Sequence, residues 1–258
     1  MNNEFNNEWI LILGGSSGLG LASAKKMAAH GANVCIVHRD RKVDLELFTS
    51  EVEEIRSHGG KVLTFNQDAL KPETITEVIS EIPKNSIKVL LHSIAKGSLK
   101  PLIGTIKDQL TKEDLAITVN AMALSWLDWT QALVKENKFT ANARNIAFTS
   151  EGNSKALMHY GAVSVAKASL EALMRQMAVE MASMGLTTNC IQAGVTQTKS
   201  FGMIPGSERL AAIAQKRNPF KRLTTPEDVA NAVYLLAKNE AQWINGTVLK
   251  VDGGESLR

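Results

Sequence analysis

Tyr160 and Lys167 stand seven positions apart in the segment YGAVSVAK, which has the pattern of a single helix. Seven residues are almost two turns, so the two side chains are predicted to share one face, about 10 Å apart along the axis. Four residues before Lys167 the chain has Val163, which cannot donate a proton, and the other tyrosine, Tyr234, falls in a late helix. Tyr160 is therefore the candidate phenol acid, and its spacing from Lys167 suggests hydride chemistry on a conjugated double bond.

A glycine-rich loop lies upstream of this pair. The apolar run at 9–13 leads into GGSSGLG, and a helical pattern begins at Leu21, so the order is strand, turn and helix. Glycines let a backbone approach a pyrophosphate closely, and the helix that begins there aims free N–H groups and its positive dipole end at the phosphates. The loop predicts a dinucleotide site, although a tight strand-to-helix turn is an alternative for this motif alone. Its candidate ligand contacts are Gly14, Ser16, Ser17, Gly18, Leu19 and Gly20.

The elements that must position these residues alternate along the whole chain. Short apolar strands separated by helical patterns are typical of βαβ units in a parallel sheet. We therefore predict an α/β fold, a single doubly wound Rossmann-type domain over 1–258 with a parallel seven-stranded sheet. The irregular stretch 197–219 is predicted to be a mobile substrate segment over the cofactor, with a plain surface loop and short helix as the alternative. The predicted strands are 9–13, 33–37, 61–66, 87–92, 144–149, 187–192 and 247–251.

Composition excludes several classes of function. The 29 basic residues are mixed with 26 acidic ones for a net charge of +3, so no nucleic-acid partner is predicted, whereas a basic entrance for an acidic carrier protein stays open. The polar N-terminus and the lack of an apolar run of about 20 residues predict no membrane segment and a cytoplasmic protein. Cys35 and Cys190 lie in apolar strand patterns and the five histidines are scattered, so no metal site is predicted.

Over almost its whole length the chain resembles the short-chain dehydrogenase/reductase family. The spacing of Tyr160 and Lys167 resembles that of its enoyl-acyl carrier protein reductase branch, and the segment HSIA after the fourth strand is similar to the His-Ser-Ile-Gly of those enzymes. The glycine loop has the G-x3-G-x-G form, which resembles a smaller, NADPH-using subgroup of enoyl reductases. The resemblance therefore implies a nicotinamide-dependent reductase.

The resemblance also implies individual roles. Lys167 would hold the hydroxyls of the nicotinamide ribose, and Asn120 would steady Lys167 through the helix backbone and a water, or else simply cap packed backbone. Asp68 matches the position that hydrogen-bonds the adenine amino group, and the threonines after Gly194 would face the carboxamide and the phosphates in an order that the sequence leaves open. The further cofactor contacts implied are Ala69, Ser93, Ile94, Ala95, Gly194, Thr196 and Thr198.

The end of the second strand predicts which dinucleotide is bound. His38 stands 18 residues after Gly20, in the slot where an acid would bind a ribose 2′-hydroxyl. Arg39, with a basic residue from the following segment RK, could bind a 2′-phosphate through charge-assisted bonds, so NADPH is favoured over NADH. Asp40 is a possible neutralising partner of Arg39, and a solvated loop is the alternative interpretation.

Ser150 lies 13 residues before Val163, the spacing at which ketone-reducing relatives place a catalytic serine before their tyrosine. In reduction of an enoyl thioester the charge develops on an oxygen two carbons from the carbon that receives hydride. A phenol moved about 4.5 Å along the helix would meet that more distant oxygen. The leading hypothesis is an NADPH-dependent enoyl reductase acting on an acyl carrier protein or coenzyme A thioester. A carbonyl or 3-oxoacyl reductase and a cofactor sensor without turnover are the alternatives.

Subunit association is a further implication of the resemblance. It places the long helices predicted around 105–135 and 157–183 at an interface, and the second is rich in alanine and methionine, which suits close packing. The sequence thus predicts a homotetramer.

Overall fold

The computed structural model describes residues 4–105 and 108–258 and is organised around one parallel sheet. Its seven strands follow the order β3-β2-β1-β4-β5-β6-β7. All seven predicted strands are present, and the doubly wound α/β fold is confirmed; the fifth strand begins earlier than predicted. The strands are β1 (Trp9–Leu13), β2 (Asn33–His38), β3 (Val62–Asn66), β4 (Ile87–His92), β5 (Phe139–Thr149), β6 (Leu186–Ala193) and β7 (Val248–Val251).

Helices cover both faces of the sheet. Because parallel strands are buried on both sides, they appear in the sequence as continuous apolar runs, and all five side chains of β1 are buried. The helices are α1 (Gly18–Ala29), α2 (Lys42–Arg56), α3 (Pro72–Glu81), α4 (Lys112–Val119), α5 (Ser125–Lys135), α6 (Gly161–Glu180), α7 (Lys199–Gly202), α8 (Ser207–Arg217) and α9 (Pro226–Ala237). Alternate β1 side chains pack against α1, α2 and α9 on one face and against α3, α5 and α6 on the other.

The helix predicted around 105–135 is wrong in extent, because the helical path begins only at Lys112. A capping box between Thr111 and Asp114 starts α4 at Lys112, and positions 106 and 107 lie outside the described residues. Between α4 and α5 the five residues Asn120–Leu124 form a π-helical turn, a feature that often marks functional sites.

The irregular stretch 197–219 contains two helices. Thr198 caps α7 by accepting a hydrogen bond from the Phe201 N–H (3.1 Å), and α8 follows after a turn. Its predicted mobility stays a prediction. Among the described residues, no helix is long and apolar enough to cross a membrane, and no three His, Cys, Asp or Glu side chains are grouped as metal ligands.

The centre of the sheet determines where a ligand can enter. β1 and β4 lie side by side, while the chain continues from β1 towards β2 and from β4 towards β5, in opposite directions. At such a switch point the connecting segments leave to opposite faces, so a crevice opens at the carboxyl ends of the two strands. The glycine loop after β1 and the segment HSIA after β4 both lie there.

Candidate active site

The glycine loop is packed too tightly for any side chain at Gly20. A Cβ there would lie 2.3 Å from the carbonyl oxygen of Gly14, which shows how closely the start of α1 approaches the end of β1. The Gly14 N–H donates to the carbonyl of Val37 on β2 (2.8 Å). The loop is thereby held against two strands of the sheet.

The start of α1 fits the pyrophosphate of a dinucleotide. Ser17 is the N-cap, with an extended backbone and an exposed side chain, and the first helical turn, GLGL, carries no acid. The first N–H groups of a helix have no partner within it, so they and the positive end of the dipole can bind phosphate. Ser16 and Leu19 beside it are partly buried. These residues would hold the phosphates of a nicotinamide dinucleotide.

The end of β2 has polar contacts that the sequence did not indicate. His38 is buried and its Nδ1 lies 2.8 Å from an Asp40 carboxylate oxygen, while its ring contacts Phe48; burial lowers the pKa of His38. Arg39, with 60% of its side chain exposed, donates to Asp68 (3.0 Å). The neutralising partner of Arg39 is therefore Asp68, in the segment after the neighbouring strand β3, and not Asp40.

Hydrogen bonds to buried parts of the fold hold the segments after β3 and β4 in place. The carbonyl of Ala69 accepts a hydrogen bond from the buried indole of Trp129 (2.8 Å), and the Ser93 N–H donates to the carbonyl of Leu13 (2.8 Å). Ile94 packs against the core on the α5 and α6 face, while Ala95 is exposed. Asp68, Ala69, Ser93, Ile94 and Ala95 thus follow adjacent strand ends around the crevice.

His92 connects β4 to the π-helical turn. It is fully buried, its Nε2 lies 2.9 Å from the Ser125 hydroxyl, and that hydroxyl donates to the carbonyl of Ala121 (2.9 Å). Because the serine proton is used by Ala121, the Nε2 of His92 must carry its own proton. Burial lowers the pKa of His92 to about 3, so the ring is neutral. The sequence showed this histidine only as part of the segment HSIA and did not indicate that it positions the π-helical turn.

Lys167 is a buried cation on α6. Its Nζ donates to the carbonyl of Phe148 on β5 (2.7 Å), and burial lowers its pKa to about 8 although Cys190 and Glu171 act in the opposite direction. Asn120 begins the π-helical turn with an exposed side chain. The link predicted between Asn120 and Lys167 stays a prediction.

Tyr160 is not on the same helix as Lys167, contrary to the prediction. His159 has a left-handed backbone (φ 63°), which interrupts a helical path, so α6 begins at Gly161 and Tyr160 is its N-cap. The two-turn spacing argument therefore does not apply. Val163, in the first turn, is buried in an apolar cluster that includes the Tyr160 ring.

The Tyr160 phenol oxygen lies 3.4 Å from the Ser150 hydroxyl, so the structure brings these two predicted residues together. Burial raises the pKa of Tyr160, and the contact with Ser150 acts in the opposite direction. The ring packs on Gly152, where a Cβ would lie 2.4 Å from a ring carbon. Sequence reasoning missed Gly152, because a contact across eight residues of irregular chain leaves no periodic signal.

The segment after β6 returns to the glycine loop. The Gly194 N–H donates to the carbonyl of Val251 (3.0 Å), and the buried Thr196 hydroxyl donates back to the carbonyl of Gly194 (2.9 Å). Thr198 packs against Gly18. Of the two threonines, Thr198 is therefore the one placed at the phosphate end of the crevice.

A family model described as Enoyl-(Acyl carrier protein) reductase matches residues 14–256 of this chain. The chain belongs to the enoyl-acyl carrier protein reductase branch of the short-chain dehydrogenases/reductases. The predicted family is thus confirmed, and the reductase is an NAD(P)H-dependent oxidoreductase whose crevice is suited to a nicotinamide dinucleotide. The roles of its individual site residues stay predictions.

Similar proteins agree with this assignment. The enoyl-(acyl-carrier-protein) reductase (NADH) of Haemophilus influenzae is 28% identical over 252 residues, which cover 96% of the reductase and 94% of that relative. An NADPH-dependent aldehyde reductase-like chloroplastic protein of Arabidopsis thaliana is 26% identical over 252 residues, covering 95% and 92%. The crystal structure of the enoyl-(acyl-carrier-protein) reductase (NADH) of Aquifex aeolicus is 25% identical, with a TM-score of 0.83 and 98% of both chains covered.

The buried charge of Lys167 predicts a gain in stability when it is removed. Folding lowers the pKa from 10.5 to about 8, so the cost of burying the cation is present below about pH 8 and is relieved as the pH rises towards the unfolded value. That cost is roughly 3 kcal/mol, and loss of the bond to Phe148 cancels about 1 kcal/mol of the gain. The free energy of unfolding of Lys167→Met should therefore be about 2 kcal/mol higher than that of the wild type at neutral pH.

Calorimetry at neutral pH and at about pH 10 checks this expectation, since the unfolded lysine titrates near 10.4 and the advantage of the variant should shrink there. Lys84→Met, at an exposed loop position, is the matched control. A Lys167→Met protein that is less stable than the wild type at neutral pH would contradict the interpretation.

Proposed function

We propose that the reductase reduces the α,β double bond of an enoyl thioester with NADPH, acting on an acyl carrier protein or coenzyme A conjugate in the cytoplasm. The observation that carries the proposal is the arrangement around Tyr160. Its phenol oxygen lies 3.4 Å from the Ser150 hydroxyl. Val163 occupies the position at which ketone-reducing relatives have their proton donor, and it is buried in an apolar cluster. Tyr160 is thus the candidate phenol acid, and Lys167 is the buried cation of the same site.

Each side chain has a role that follows from its surroundings. Bound NADPH supplies the hydride. Tyr160 is largely neutral at pH 7 because burial raises its pKa, so it can donate a hydrogen bond to the thioester oxygen as negative charge develops there. The Ser150 hydroxyl orients the phenol. Lys167 keeps most of its charge below about pH 8, and its charge favours both the ribose hydroxyls and the developing oxyanion.

Exposed apolar side chains beside Tyr160 suit an acyl substrate. Leu102, with 66% exposure, packs beside Gly161 at the start of α6, and the exposed Leu157 and Met158 lie three and two residues before Tyr160. Exposed apolar groups next to a polar crevice are typical of a binding site for an apolar ligand. A hydrocarbon chain would cover them, whereas a small polar ketone would not.

A carbonyl or 3-oxoacyl reductase is the second candidate. It is favoured by the Ser150 to Tyr160 contact, because a serine and a tyrosine that close to each other can both reach one carbonyl oxygen. The aldehyde reductase-like name of the Arabidopsis relative agrees with this candidate. The two candidates differ in which thioester the enzyme reduces faster.

Tyr160→Phe should retain cofactor binding and lose at least about 10²-fold in turnover of crotonyl thioester, since one oxyanion donor typically contributes that much. The wild type should reduce crotonyl faster than acetoacetyl thioester. NADPH oxidation measures both. Tyr234→Phe, which removes the other phenol at an exposed site, should turn over normally. A wild type that prefers acetoacetyl thioester would establish the second candidate instead.

The choice of NADPH rests on Arg39. His38 offers no carboxylate to a ribose, and an exposed guanidinium beside it can bind a 2′-phosphate. The salt bridge between Arg39 and Asp68 competes with phosphate binding. Because this pair is exposed, it contributes little free energy and does not prevent Arg39 from binding a 2′-phosphate. Relatives are named for either cofactor, NADH in Haemophilus influenzae and NADPH in Arabidopsis thaliana.

Arg39→Ala should therefore weaken NADPH binding about tenfold, the lower end of what a charge-assisted contact contributes, and leave NADH binding unchanged. Titration of cofactor fluorescence gives both dissociation constants. Arg56→Ala, an exposed arginine on α2 paired with Glu53, serves as the control. Equal affinity of the wild type for NADH and NADPH would show that Arg39 does not bind the 2′-phosphate.

We further propose a homotetramer. Ile117 on α4, Leu124 in the π-helical turn and Val165 on α6 are apolar and each more than 40% exposed. Burial of such side chains against second copies would stabilise the assembly. Light scattering should give four times the mass of one chain, and Val165→Asp should reduce that mass. An active, dilute monomer would contradict the proposal.

A further inference from the structure

An arginine between two carboxylates joins three distant parts of the chain. Nη2 of Arg217, the last residue of α8, lies 2.7 Å from a carboxylate oxygen of Glu151 and 2.6 Å from one of Glu255. The side chains of Arg217 and Glu151 are about three-quarters buried, and that of Glu255 is 3% exposed. We call Arg217, Glu151 and Glu255 the clasp.

Glu151 attaches the clasp to the candidate active site. It directly follows Ser150 and begins a 3-10 turn, Glu151–Asn153. The middle residue, Gly152, contacts the Tyr160 ring, and the Asn153 amide donates to Glu171 on α6 (2.5 Å). The position of this turn therefore decides where the Ser150 hydroxyl and the packing surface of the Tyr160 ring lie.

Glu255 attaches the clasp to the cofactor segment. Its second carboxylate oxygen accepts a hydrogen bond from the Val195 N–H (3.3 Å). Val195 lies in the segment after β6 whose Thr198 packs on the glycine loop. The clasp thus connects α8, the Ser150 turn and the cofactor segment through a single guanidinium.

The geometry at Ser150 is sensitive to small movements. A separation of 3.4 Å between two hydroxyl oxygens is at the long end of hydrogen bonding, so a displacement of a few tenths of an ångström breaks the contact. A buried carboxylate such as Glu255 requires its counter-charge, so the arginine is held in one place. That fixed arginine in turn restrains Glu151, the residue next to Ser150.

We propose that Arg217 is a positioning residue, which binds Glu151 and Glu255 together and thereby holds the Ser150 hydroxyl against the Tyr160 phenol. The inference depends on the proposed function only where it concerns turnover, because the contact between the two hydroxyls exists without substrate.

Phenol titration tests the contact directly. The chain has two tyrosines, so in a Tyr234→Phe background ultraviolet absorbance reports the ionisation of Tyr160 alone. Ser150 lowers the pKa of this phenol against the effect of burial, so Ser150→Ala should raise it. Arg217→Met should raise the pKa by a similar amount, and the double variant should raise it no further, because both changes remove one contact.

Turnover should follow the same pattern. With crotonyl-coenzyme A and NADPH, Arg217→Met should lower kcat/KM about tenfold, since small misplacement of a catalytic group has effects of this size. The same change in a Ser150→Ala background should cost less than about twofold. The NADPH dissociation constant should stay within about twofold, and Arg217→Lys should restore part of the lost turnover.

Two further variants keep the test decisive. Arg217→Met leaves a buried carboxylate without its partner and is open to misfolding, so Glu151→Gln, which leaves the pair between Arg217 and Glu255, provides the same phenol test in a milder form. Lys155→Met is the control, because Lys155 binds Glu151 (2.5 Å) from a more exposed position outside the clasp.

The outcomes are distinguishable. An unchanged phenol pKa in folded Arg217→Met or Glu151→Gln protein, or an equal shift in Lys155→Met, overturns the positioning role. If the wild type does not reduce crotonyl-coenzyme A, the proposed function is contradicted. The phenol titration still decides in that case whether the clasp holds Ser150.

Discussion

The ammonium group of Lys167 is buried at the carboxyl end of a parallel sheet and donates to a backbone carbonyl, that of Phe148. A buried cation is costly even with one hydrogen bond, so other contacts must keep it in place. α6 does this by packing Leu170, Met174 and Met177 against the sheet. The site thus depends on a helix whose apolar face is bound tightly enough to keep a destabilising charge beside the crevice.

Two other side chains of the site are kept in their neutral forms. His92 stays neutral because burial lowers its pKa, and it uses its one proton to hold the π-helical turn through Ser125. Tyr160 also stays neutral, because burial raises its pKa. A neutral phenol and a buried cation are what a reaction that develops negative charge on oxygen requires. The burial that makes the site costly to fold is therefore also what gives its groups their useful protonation states.

Much of the fold could be predicted from the sequence because its signals are local. Each parallel strand appears as a short apolar run, and the glycines of the loop after β1 mark a place where no Cβ fits. The extent of the helices was predicted less well. The left-handed backbone of His159 delays the start of α6 until Gly161, and a π-helical turn lies within the helix predicted around 105–135. Neither has a distinct pattern of apolar residues, so periodicity could not reveal them.

The sequence by itself determined the parallel architecture and the tight glycine loop after β1, and it singled out Tyr160, Lys167 and Ser150 as candidates, because residue types and their order along the chain carry that information. Tertiary structure alone decided which charges meet. Arg39 binds Asp68 across 29 residues of chain, and Arg217 joins Glu151 to Glu255 across 66 and 38 residues. Such pairs form between segments that the sheet and its loops bring together, and the energy of a charge pair depends on distance and burial in space, which no local pattern encodes.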